Sequence, residues 1–180
     1  MTDCAKRIFF SIIVFGLGII TLYYQKSHTP SSLNFKKYEE AGNQLFREKK
    51  TSEAINCWQK SLPFAPSPEK VYNKIGIAYL ARNDYENSIQ SFQKGLKINP
   101  KDANLSYNLA LSFLQSGNNK MVLKNLDYVE TLNPYYPNVH YLKGIVYERI
   151  GKKTQAKAEY IKEININPSS VHTWSKIKDK

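Results

Sequence analysis

Proline returns at a fixed step in this chain: Pro66, Pro100, Pro134 and Pro168 are evenly spaced, about 34 residues apart. Three of them follow asparagine, as Asn99-Pro100, Asn133-Pro134 and Asn167-Pro168, and the first follows Ala65. Other positions keep the same step. A small residue does so at Gly42, Gly76, Ala110 and Gly144, and a bulky one at Leu45, Tyr79, Phe113 and Tyr147. Ala54, Ser88, Val122 and Ala156 follow in the same register, then Trp58, Phe92, Leu126 and Tyr160. A period of this length describes a supersecondary unit that cannot bury its apolar face alone, so units must stack into an array.

Each unit reads as a helical hairpin. Tyr72, Ile75, Gly76 and Tyr79 fall at i, i+3, i+4 and i+7, one face of a helix. Ile89, Phe92 and Leu96 mark a second helix after a hinge at Arg82-Asn83-Asp84. Gly76 has no side chain, so the partner helix can come close and its aromatic ring can fill the gap. Pro100 cannot continue a helix, and Asp102 is a good N-cap for the next. Ser67 and Ser170 are candidates for the same capping work. The end of the chain, "VHTWSKIKDK" at 171–180, reads as a short capping helix with Trp174 and Ile177 one turn apart.

This register resembles the tetratricopeptide repeat (TPR) family over four units, 35–68, 69–102, 103–136 and 137–170. The resemblance implies an all-α, right-handed TPR superhelix of four helix-turn-helix units plus a C-terminal capping helix. It also implies that the first helix of each unit lines a concave face that takes a protein or peptide partner. Two units depart from the pattern. The third has Val122 and Leu126 in place of a small residue and an aromatic, and the fourth has His140 and Lys143 at apolar places. Looser hairpins are expected there, or a Lys143 buried only by its stem. His140 is expected to pack rather than to bind a metal, since no second ligand lies at metal spacing.

A second stripe on each first helix, roughly 100° from the buried one, gives the candidate groove. It contributes Asn43 in the first unit, and Asn73, Ile77 and Leu80 in the second. Tyr107, Asn108, Leu111 and Leu114 follow in the third, and Tyr141 and Ile145 in the fourth. Apolar side chains of a peptide would lie on the aliphatic positions, with its backbone on the amides, which donate and accept. The alternative is that the stripe packs on a neighbouring helix or the chain's own linker. Some co-chaperones of the family grip an acidic C-terminus with lysine, asparagine and arginine. Asn43 resembles one clamp asparagine, but the expected lysine is Glu39, the second asparagine is Lys74, and Asn104 and Asn108 stand where cations are needed. A carboxylate needs charge-assisted donors, so an acidic-tail clamp is not expected.

Before the array, residues 8–24 read "IFFSIIVFGLGIITLYY", seventeen residues without a charge. That is at the short end of a bilayer span, about 17–25 residues, and longer than the about 7–15 of a signal-peptide core. One transmembrane helix is therefore expected, behind a short tail at 1–7 and ahead of a polar linker at 25–34. Lys6 and Arg7 favour a cytoplasmic N-terminus with the repeats outside, in the periplasm if the cell is bacterial. A soluble adaptor exported by signal cleavage is the alternative.

Nothing points to catalysis. Cys4 and Cys57 form no framework or metal spacing, and His28, His140 and His172 are scattered. No phosphate loop, H-E-x-x-H or G-x-S-x-G occurs. No enzyme activity, cofactor, metal or small-molecule substrate is expected. The chain carries 26 Lys+Arg against 15 Asp+Glu, a formal +11. Many lysines come singly, as on a solvated solenoid surface, and the tyrosines mostly occupy packing places, so nucleic acid is not expected as a partner. Anionic headgroups near the anchor suit that charge.

Overall fold

The computed structural model describes residues 30–178, and the apolar segment at 8–24 lies outside them. Among the described residues the structure is all-α, without strands, and no helix is long and apolar enough to cross a membrane. The chain divides into two compact units, Met1–Pro66 and Ser67–Lys180.

In the first unit, α1 (Pro30–Arg47) pairs with α2 (Thr51–Ser61), and a 3-10 turn follows at Leu62–Phe64. Helix α1 already includes residues 30–34, so that part of the expected linker is helical. In the second unit, α3 (Pro68–Ala81) pairs with α4 (Tyr85–Ile98), and α5 (Ala103–Gln115) with α6 (Asn119–Leu132). There α7 (Val139–Arg149) pairs with α8 (Lys153–Ile166), against which α9 (Val171–Lys178) packs as the expected cap.

Close approach explains the glycines. A Cβ on Gly42 would lie 2.5 Å from Trp58 Nε1, and one on Gly76 would lie 2.5 Å from Phe92 Cε1. One on Gly144 would meet the Tyr160 ring closer still. In the third hairpin Ala110 and Leu126 take these two places, and both are fully buried with Val122. The core there is closed by aliphatic packing, against the expectation of a loose interior. Ser88, also fully buried, knits neighbouring hairpins: its Oγ lies 2.9 Å from Gly76 O and 2.7 Å from Ser112 Oγ.

The hairpin turns repeat as faithfully as the helices. Lys49, Asn83, Gly117 and Gly151 all have positive φ, at 62°, 59°, 82° and 78°, each one repeat after the last. The next amide then bonds back five residues, Lys50 to Leu45 O, Asp84 to Tyr79 O, Asn118 to Phe113 O and Lys152 to Tyr147 O. Side chains cap the following helix where they can. Asp84 accepts from Asn87 N at 3.2 Å, Asp102 from Leu105 N at 3.0 Å and Asn118 from Met121 N at 3.2 Å. Ser67 precedes α3 as expected, but its hydroxyl makes no cap bond. Ser170 Oγ meets Thr173 Oγ1 at 2.6 Å instead of a backbone amide.

The fourth hairpin corrects the expectation for Lys143. Its ammonium is buried and charge-paired, 2.6 Å from Asp127 Oδ1 and bonded to Glu130 of α6. His140 is buried as expected, and its Nδ1 lies 2.6 Å from Glu159 Oε2. A buried charge is tolerable only when paired in this way. Glu163, fully buried on α8, accepts from the amides of Asn138 and Tyr141 at 3.0 and 3.3 Å and so caps α7 from outside its own sequence.

Candidate functional site

In the second unit, the candidate residues fall on three successive first helices, α3, α5 and α7. Ile77 is exposed, with 37% of its surface free, and Leu80, Leu111 and Ile145 are half-buried. Leu114 is not part of that surface. It is buried at 8% exposure in the core, where α7 covers the last turn of α5 and Arg149 Nη1 donates to Leu114 O at 3.0 Å.

The amides are not idle. Asn108 Nδ2 donates to Asn73 Oδ1 at 2.8 Å, so the two expected backbone contacts form one bridge between α3 and α5. The bridge leaves the Asn73 amide protons and the Asn108 carbonyl, so the pair keeps both kinds of hydrogen-bonding capacity. Asn43 lies in the first unit, where its Oδ1 accepts from Trp58 Nε1 at 3.2 Å. It helps to hold the ring that fills the space over Gly42.

The tyrosines form pairs. The rings of Tyr107 and Tyr136 are 5.0 Å apart, and those of Tyr141 and Tyr160 are 6.0 Å apart. Burial pushes the Tyr107 phenol up to about 12, with Tyr136 and Glu163 adding to it, so it stays neutral. Tyr136 donates to Asn104 Oδ1 at 2.6 Å. Tyr136 is not among the expected site residues because it lies between helices, outside any helical stripe. Its signal is the pair Tyr135-Tyr136 set between Pro134 and Pro137, where a stiff chain presents a ring.

The ionisable cluster around His140 is built for structure. Burial opposes ionisation of Glu159, yet hydrogen bonds from His140 and Lys162 hold its carboxyl down at about 2. Burial would lower Lys143, but Asp127 and Glu130 hold it above its ordinary value. Glu159 and Lys143 are thus held in their charged forms by their partners. Among the described residues no group of three or more His, Cys, Asp or Glu could hold a metal ion.

Two stretches match family models: residues 78–117 match "TPR repeat" and residues 137–170 match "Tetratricopeptide repeat". The anaphase-promoting complex subunit 3 of Schizosaccharomyces pombe is 26% identical over 102 residues, 57% of this chain and 15% of that protein. The peroxisomal targeting signal receptor of Kluyveromyces lactis is 25% identical over 108 residues, 60% of this chain and 19% of the receptor. This chain therefore spans less than a fifth of either relative. Among solved structures, MamA protein shares the fold with a TM-score of 0.73 at 22% identity, covering 80% of this chain and 79% of its own. A tetratricopeptide repeat protein from Parabacteroides merdae shares it with a TM-score of 0.74 at 15% identity, over 80% and 57%. The chain thus carries tetratricopeptide repeats at these two stretches, on an all-α fold that it shares with both solved structures.

Proposed function

We propose that this chain is a non-catalytic adaptor, tethered to a membrane by residues 8–24, that holds a partner protein or peptide on the face lined by α3, α5 and α7. The observation that carries the reading is the exposed Ile77 beside half-buried Leu80, Leu111 and Ile145, next to the Asn73–Asn108 bridge. Apolar surface of this kind, bordered by amides and tyrosines, suits a peptide that lays side chains on the aliphatic stripe. Its backbone would meet the amides. The relatives' names fit the same kind of work, since one is a receptor for a targeting signal and the other a subunit of a complex.

The tether rests on the uncharged run at 8–24, flanked by Lys6 and Arg7 on one side and by Lys26 on the other. The N-terminus would stay in the cytoplasm, with the repeats outside. Two measurements test the reading. Leu80→Glu with Leu111→Glu removes partner capture while helicity by circular dichroism is kept; unchanged capture contradicts the face. Intact mass of the mature chain retains residues 1–24 if they anchor it, and a start beyond Tyr24 contradicts the tether.

A further inference from the structure

A cavity of about 550 Å³ opens between α4 and α6, over α5. Leu96 and Pro100 form one wall, Tyr128 and Thr131 the other, and Lys124 stands among the lining residues. Ser106 lines it too: its side chain is fully buried and its Oγ has no hydrogen-bond partner. An orphaned buried hydroxyl is unfavourable, by about 1–3 kcal/mol. Several of the other polar groups around the cavity are engaged, and Asn125 Nδ2 donates to Met121 O at 2.8 Å. Tyr128 donates to Pro100 O at 3.2 Å, Thr131 to Tyr128 O at 2.7 Å, and Asp127 holds Lys143 at 2.6 Å.

The repeat register says why the space is there. Tyr38, Tyr72, Ser106 and His140 occupy one position in successive units. In the first unit the Tyr38 ring is half-buried and stacks on Phe64 at 6.5 Å between centroids. In the fourth unit the His140 ring fills the place, buried against Glu159. The third unit alone of the four puts a side chain without a ring at this position, and there the cavity lies.

We propose that this cavity is a binding site for a small, neutral aromatic molecule whose single polar group meets Ser106 Oγ. The ring takes the place that Tyr38, Tyr72 and His140 hold in the repeat register of the other units. The volume lies within the roughly 300–1,000 Å³ typical of small-ligand sites, and one polar group under apolar walls fixes orientation. The site is independent of the proposed partner-binding face, because it lies between the second helices of two hairpins.

The test titrates 2-naphthol and naphthalene into the full chain in detergent micelles. The readout is methyl NMR shifts of Leu96 and Thr131. Both probes should give saturable shifts, with 2-naphthol roughly threefold to tenfold tighter for one added neutral hydrogen bond. Ser106→Tyr, which supplies the ring from within, should abolish both titrations in the same micelles and leave the melting temperature equal or higher. Ser106→Ala, a gentler change, should keep naphthalene binding and erase the preference for 2-naphthol. No saturable shift in the parent chain overturns the proposal. So does binding that persists in Ser106→Tyr, or a preference that survives in Ser106→Ala.

Discussion

Gly76→Ala puts the packing account at risk with a single methyl group. Glycine in a helix interior is less favourable than alanine by about 1 kcal/mol, so propensity alone makes the substitution stabilising. Packing opposes it. The new Cβ would lie 2.5, 2.7 and 2.8 Å from three carbons of the Phe92 ring, which is fully buried. Carbon atoms rest about 3.5–4.0 Å apart, so the ring must retreat by roughly 1 Å into a core already filled. Overpacking of that kind costs about 1–3 kcal/mol. The net expectation is a loss of about 0–2 kcal/mol, read as a drop of up to about 8 °C in melting temperature at about 2–4 °C per kcal/mol. Phe92→Leu, which frees the space the methyl needs, separates the two effects. Alone it leaves a cavity and should destabilise by about 1–2 kcal/mol. Combined with Gly76→Ala it should destabilise less than the sum of the singles, by a coupling of about 1–2 kcal/mol. Thermal melts of the four chains by circular dichroism measure the cycle. A gain of about 1 kcal/mol from Gly76→Ala, additive with Phe92→Leu, would refute the view that this glycine exists to admit the ring.

Other expectations rest on separate contacts. Lys49 holds the left-handed turn that glycine holds in the third and fourth hairpins, with φ of 62°, so Lys49→Gly should stabilise by about 0.5–1 kcal/mol; a lower melting temperature would contradict it. Asp102→Ala removes the bond to Leu105 N and should destabilise by about 1 kcal/mol, whereas an unchanged melt would show that the cap is idle. The Glu159 carboxyl sits at about 2 in the fold, below its ordinary 4.5, so its contribution is whole above pH 4.5 and fades as the pH falls towards 2. Glu159→Gln should therefore flatten the melting temperature between pH 5 and pH 2, and an identical acid slope in the two chains would contradict the pairing with His140 and Lys162.

The hairpins are legible in the sequence because their cause is local. Glycine faces an aromatic ring sixteen residues on, as Gly76 faces Phe92, and both ends of that contact return in every unit but the third. The left-handed turns are just as regular but hidden, since lysine, asparagine and glycine fill one backbone role and look unrelated in sequence. Leu114 escapes the stripe for a different reason. A stripe drawn on one helix cannot show that the next hairpin covers its last turn, and Arg149 reaches that turn from far along the chain. The same distance problem hides the partners of Lys143 and His140, which come from α6 and α8. Ser106 is visible in the register, but only its unpartnered hydroxyl and the space around it give it meaning.

A photo-crosslinking residue placed at Ile77, compared with one at Ile161 of α8, tests the partner-holding face most directly in cells. Both positions are exposed, at 37% and 45%. A discrete adduct from Ile77 that disappears with Leu80→Glu and Leu111→Glu, and no matching adduct from Ile161, is the expected result. Equal adducts from both positions, or an Ile77 adduct that survives the double substitution, would contradict it.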